Sequence, residues 1–154
     1  MEQSRREFLT TTGGLLGLLL AAGFLRPQEV AAEEWNQAAF EIKKMDDLVK
    51  LLGGGAARES AEVTIVAPDI AENGAVVPVG VASKIDKTAS IAILVEKNPN
   101  VLAATFVIPQ GTLPEVQTRV KMAQTSNVFA LVKADGKFYY AAKEIKITLG
   151  GCGG

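Results

Sequence analysis

The sequence predicts an all-β fold: an immunoglobulin-like antiparallel β-sandwich with one N-terminal helix before it and a flexible Gly-Gly-Cys-Gly-Gly tail after it. Seven or eight short apolar, β-branched runs follow one another between residues 63 and 149, and the turn signals Glu72-Asn73-Gly74, Asn98-Pro99-Asn100 and Ala134-Asp135-Gly136 separate several of them. No alternation of strand and helix patterns intervenes, which argues against a parallel α/β sheet. The 154 residues, 48% hydrophobic and 21% charged with a net charge of −1, describe one domain plus appendages and give no basic excess for nucleic acid.

Residues 1–32 read as a cleavable export signal. Ser4-Arg5-Arg6-Glu7-Phe8-Leu9 resembles the twin-arginine motif, with Arg5 and Arg6 as its pair and Thr10 where a lysine is common. The apolar stretch from Gly13 to Leu25 is shorter than the roughly 18 residues expected of a spanning helix. Val30-Ala31-Ala32 then supplies small residues for signal peptidase. Cleavage there removes three basic and three acidic residues, so the charge balance of the mature chain is unchanged. Twin-arginine systems move folded proteins, often with a partner bound, and the expected location is the periplasm, with no membrane association once the signal is removed.

Between residues 33 and 52 the apolar side chains Trp35, Ala38, Ala39, Ile42, Met45, Leu48, Val49 and Leu52 recur at spacings of three and four, which predicts one amphipathic helix over 33–52 lying on the sheet. Gly53-Gly54-Gly55 ends it, because a glycine past the last turn takes the left-handed cap. Strands are expected at 63–66, 75–82, 90–96, 101–108, 115–125, 128–133, 137–142 and 144–149. Pro78 and Gly80 place the second at an edge or a bulge, and the unbroken apolar run Ile91-Ala92-Ile93-Leu94-Val95 marks the centre of the sandwich. Asp135-Gly136 predicts a tight hairpin. The folded domain is thus 33–149 and the tail 150–154.

Chemistry concentrates in that tail. Cys152 is the chain's one cysteine, set between Gly150-Gly151 and Gly153-Gly154. Four glycines cannot pack into a core, so the thiol is presented to another molecule on an arm whose reach from Leu149 is about 10 Å. It cannot close a disulfide within the chain; its fates are a free thiol, a mixed disulfide or a covalent adduct. There are no histidines, which removes Ser-His-Asp and Cys-His catalysis and His-based metal sites, and one cysteine alone cannot close a zinc site. A lipoprotein box precedes a mature N-terminus rather than ending a chain, and a prenyl signal needs three residues after the cysteine where two follow. The sequence therefore offers no catalytic residue, metal site or cofactor motif of its own. Three classes remain: a covalent carrier, an adaptor that forms an intermolecular disulfide through Cys152 and, behind both, an independent enzyme, for which no acid-base pair or cofactor motif emerges.

The terminal Lys146-Ile147-Thr148-Leu149-Gly150-Gly151-Cys152-Gly153-Gly154, together with Ala67-Pro68-Asp69-Ile70-Ala71-Glu72-Asn73-Gly74-Ala75-Val76-Val77-Pro78-Val79 and with Asn98-Pro99 before Val101-Leu102-Ala103, resembles the SoxY sulfur-carrier family. The resemblance implies a periplasmic carrier in thiosulfate oxidation, paired with a SoxZ-like β-sandwich subunit and not itself an enzyme. It implies that Cys152 takes up thiosulfate by an oxidative conjugation catalysed by the haem protein SoxXA. SoxB then releases sulfate hydrolytically, and a sulfur dehydrogenase acts further where the organism has one. N-terminal sequencing of the exported protein is expected to begin at Glu33; a chain still starting at Met1 overturns the signal assignment.

Overall fold

The computed structural model describes residues 36–149. Two short helices, α1 (Gln37–Phe40) and α2 (Met45–Leu51), are followed by nine strands: β1 (Ala57–Glu59), β2 (Val63–Val66), β3 (Ile70–Asn73), β4 (Val77–Ser83), β5 (Thr88–Val95), β6 (Leu102–Val107), β7 (Glu115–Val120), β8 (Ser126–Ala134) and β9 (Lys137–Leu149). They form a sandwich of a larger sheet in the order β1-β9-β8-β5-β6, with β3 also on β9, and a smaller one in the order β2-β4-β7.

The apolar run in β5 is explained by burial on both faces. Ile91, Ile93 and Val95 join Val77, Val79, Val81 and Val120 of the small sheet in the sandwich core. Ala92 and Leu94 point the other way and pack with Leu48, Val49, Leu131 and Phe138 beneath the helices. A strand covered on one side only would alternate, as β7 does, with Val120 buried and Glu115, Gln117 and Arg119 exposed. Each fully buried Leu or Ile contributes on the order of 1.5–3 kcal/mol, so the double layer makes β5 a main source of stability.

The predicted single helix over 33–52 is corrected to two pieces, among the described residues, with a break at 41–44. The break has a tertiary cause. The Ile42 carbonyl accepts a hydrogen bond from Val101 N–H (3.2 Å), and Lys43 Nζ donates to Asn100 Oδ1 (2.7 Å) and to the Pro99 carbonyl. A continuous helix would use the Ile42 carbonyl internally. The C-terminal cap is as expected: Gly53 has φ +81°, Gly53 N–H donates to Lys50 and Gly54 N–H to Val49, the double bond pattern of a Schellman cap. Gly54 has a further constraint, because a Cβ there would lie 2.5–2.6 Å from the Phe138 ring and 2.8 Å from Val49.

β4 is corrected from an edge to the middle of the small sheet. It tolerates Pro78 because β2 ends opposite Gly80, so no strand lies beside Pro78 on that side to be deprived of a ladder bond. The strand expected at 115–125 stops at Val120, and those at 137–142 and 144–149 are one thirteen-residue strand, β9. The Asp135-Gly136 hairpin is confirmed, both residues having positive φ between the paired Ala134 and Lys137.

The purely antiparallel expectation fails at β9. β1 and β3, neither foreseen, both pair with it in parallel, β1 at 138–140 and β3 at 146–149, while β2 crosses to the other sheet between them. Gly54→Ala is expected to destabilise the domain by about 1–3 kcal/mol through the clash with Phe138, measured by urea unfolding with Gly55→Ala, which meets nothing within 4 Å, as the small-effect control.

Candidate functional site

The tail leaves the domain from the end of β9, so the residues that hold that end define what the arm is mounted on. β8 pairs with β9 only from Lys137 to Ile145. Beyond that point support comes from both edges of the strand. β3 takes over one edge with Ile70, Ala71 and Asn73 beside Lys146, Ile147 and Leu149, and Lys146 N–H donates to the Asp69 carbonyl at 2.9 Å just before it. On the other edge, where β8 has ended, Thr125 Oγ1 accepts from Ile147 N–H at 2.9 Å. Thr148 Oγ1 donates to the Glu72 carbonyl at 3.0 Å. Ile145 is fully buried, and Ile147 packs half-buried against the sandwich core.

The loops that supply these groups are themselves tied together. Asn98 donates through its side chain to the Lys121 carbonyl (2.7 Å) and accepts from Ala123 N–H (3.0 Å), which pins the β5–β6 turn to the segment carrying Thr125. Met122 N–H donates to the Gly74 carbonyl (2.7 Å), and the fully buried Met122 side chain anchors the same segment in the core. Asn73 Oδ1 accepts from Ala75 N–H (2.8 Å) and shapes the turn after β3. Ser126, buried, accepts from Lys97 N–H at 3.0 Å. The three segments that sequence reading had picked out separately, around residues 67–79, 98–103 and 146–149, therefore meet around the end of one strand.

Cys152 and its flanking Gly150, Gly151, Gly153 and Gly154 lie outside the described residues, as do Arg5 and Arg6. Lys143 Nζ is 3.0 Å from Asp69 Oδ1 and also donates to the Ala67 carbonyl, which ties β9 to the segment before β3. A cavity of about 460 Å³ lies between residues 83–88 and 109–114, by the β4–β5 turn and the β6–β7 loop. Thr88 pairs with Ala134 at the start of the β8–β9 hairpin, so this cavity is at the pole opposite the end of β9. No group of three or more Cys, Asp or Glu side chains suited to a metal occurs among the described residues.

The family model described as "Sulfur oxidation protein SoxY" matches residues 48–152, a span that ends on Cys152. The chain belongs to the SoxY family. The structure of the sulfur carrier protein SoxY from Chlorobium limicola f thiosulfatophilum is 41% identical, covering 68% of this chain and 94% of that one, with a TM-score of 0.60. This supports both the β-sandwich and a sulfur-carrier role in the Sox system for this SoxY-family chain. A structure of the bacterial superantigen toxic shock syndrome toxin-1, 13% identical over 55% of this chain and 99% of its own, reaches a TM-score of 0.37 and carries no argument. No curated protein matches.

Sequence reading did not find Thr125, Asn98, Thr148 or the β3 pairing as supports of the arm. The Asn-Pro-Asn and Glu-Asn-Gly turns were visible as turns, but nothing local shows that their polar side chains serve another loop. Thr125→Val is expected to raise the exchange rate of the Ile147 amide and to cost about 1 kcal/mol of stability, the usual net worth of one hydrogen bond. Hydrogen exchange with residue resolution checks it, and an unchanged Ile147 amide would show that Thr125 is not its partner in solution.

Proposed function

We propose that this chain carries sulfur intermediates covalently on Cys152 during periplasmic thiosulfate oxidation and hands them from one partner enzyme to the next. The observation that carries the reading is the SoxY match running through Cys152, in a chain whose last described strand is held by β3 on one edge up to Leu149 and by Thr125 on the other at Ile147. A secured root with a glycine-flanked thiol beyond it suits transfer between sites: the origin stays put and the sulfur travels within about 10 Å of it.

In the proposed cycle the Cys152 sulfur forms a bond to the outer sulfur of thiosulfate. The thiol loses its proton, and two electrons pass to the haem partner, SoxXA. Water then attacks the terminal sulfonate sulfur in SoxB, releasing sulfate and leaving a persulfide on Cys152. A sulfur dehydrogenase, where present, oxidises that remaining sulfur. The chain supplies attachment and reach, and the partners supply catalysis. Because the thiolate is the nucleophile and is a minority form of an ordinary thiol at neutral pH, activation falls to the partner's site. Glycines on both sides of Cys152 leave no side chain to block entry into a narrow cleft. Export by the twin-arginine route, directed by Arg5 and Arg6, fits a chain that folds and binds a SoxZ-like subunit before it crosses the membrane.

Intact-mass spectra of protein from cells fed thiosulfate are expected to show sulfur-containing adducts that disappear in Cys152→Ser, while that variant keeps its fold and loses turnover with the partner enzymes. A wild-type protein showing only the free thiol under all such conditions overturns the carrier reading, and an unfolded Cys152→Ser makes the cysteine structural.

A further inference from the structure

Alternation along the small sheet turns Val77, Val79 and Val81 into the core and leaves Pro78, Gly80 and Ala82 on the outer face, with Thr64 and Val66 of β2 beside them. No residue from 63 to 68 or from 73 to 83 is charged, in a chain that is 21% charged. A Cβ at Gly80 would stand 3.4 Å from Val66 Cβ, so the missing side chain lets Val66 lie close over the sheet. Val66 is nevertheless 63% exposed, and Val76, one residue before β4, is 54% exposed. Ile70, also exposed, differs in having Asp69 before it, Glu72 two residues on and Lys146 beside it in register. On the β7 side the uncharged face ends at Arg119, opposite Pro78, and at Lys121 just beyond β7. Both are exposed, and neither is in an ion pair among the described residues.

This face begins at the root of the arm. Asn73 pairs with Leu149, and Val76 N–H donates to the Asn73 carbonyl at 3.4 Å across a tight turn. A strand spacing of about 4.8 Å and a turn span of under about 7 Å put the Val76 Cα within about 12 Å of that of Leu149. Cys152, with its reach of about 10 Å, sweeps the same region.

We propose that Val66, Val76 and Pro78, with Arg119 and Lys121 at their margin, form the surface on which the enzymes acting on Cys152 dock, and that those enzymes meet it with apolar side chains bordered by carboxylates. The inference rests on the carrier reading and adds to it where the catalysts bind. The occupant follows from the length of the arm. A thiol that reaches about 10 Å enters a cleft only when the rim of that cleft comes to rest around Leu149. The arm itself is a poor cover for the face, since four of its five residues are glycine and have no side chain to bury. Uncharged apolar residues give a contact that forms without stripping water from ions, and the two cations at the margin speed encounter with an acidic rim.

The test separates docking from chemistry. Tetrathionate loads the protein without a haem partner: the Cys152 thiolate attacks a central sulfur, thiosulfate leaves, and Cys152 keeps an S–SO3− group. The loaded protein, in the assembly it keeps on isolation from its own cells, is given to the sulfate-releasing enzyme, and kcat and KM are measured. Val76→Glu is expected to raise KM about tenfold with kcat within about twofold. Thr64→Glu, which adds the same charge opposite Ala82 at the far end of the face, is expected to leave both unchanged. Arg119→Glu with Lys121→Glu is expected to raise KM likewise, and the wild-type KM, which needs no variant to fold, to rise with salt. Alkylation of unloaded Cys152 by iodoacetamide is expected to run at one rate in all four proteins, with circular dichroism and sedimentation unchanged. A processed wild-type adduct with an unchanged KM in Val76→Glu overturns the docking surface alone, as does an equal rise in Thr64→Glu or a wild-type KM that ignores salt. A variant that loses a subunit or changes its own association assigns the face to assembly and overturns it too. A wild-type adduct that the enzyme leaves intact overturns the carrier reading and the surface with it.

Discussion

Everything at the working end of this molecule depends on how the last four residues of β9 are held. β8 covers β9 only as far as Ile145, and an uncovered strand end would fray into the tail and let the thiol's origin wander. The parallel β3 ladder on one edge and Thr125 on the other replace the missing neighbour. Because backbone groups without a partner cost free energy wherever water is excluded, the pairing of Ile147, half-buried at this point, also satisfies what burial demands. The consequence for a carrier is a strand end held in place up to the last described residue, from which Cys152 is three positions away in sequence.

That boundary is reinforced from a distance. The segment between β7 and β8 would be an ordinary surface connection but for Met122, whose buried side chain fastens it to the core, and Asn98, which binds it to the next loop. The core beneath has two layers, one between the sheets and one between the large sheet and the helices, and β5 and β8 contribute to both. Motion of the root would therefore have to disturb packed side chains on the small sheet and in three loops together. The opposite pole, with its hairpin at Asp135-Gly136 and its open cavity, has no part in this arrangement.

Much of the strand content could be read directly, because β-branched runs and Asn-Gly, Asn-Pro-Asn and Asp-Gly turns are local signals; 63–66, the core of β5, the hairpin and the glycine cap of α2 all appear where expected. β1 and β3 could not. Ala57-Arg58-Glu59 and Ile70-Ala71-Glu72-Asn73 have little strand propensity and no clean alternation, and they are strands because β9 offers them an edge. The break between α1 and α2 was hidden for the same reason: the periodicity of 33–52 is helical throughout, but Val101 and Asn100 compete for the groups at 42 and 43. Pro78 misled in the other direction, since its position beyond the end of β2 is a property of register alone.

By itself the sequence determined the chemistry: a single thiol among glycines at the end of a strand, no histidine, and the family to which such an ending belongs. These are properties of residue type and order, which local reading captures. Only the tertiary structure decided what holds the end of β9. That depends on pairings between residues 20 to 80 positions apart, whose energies exist only after the sheets have closed over a shared core.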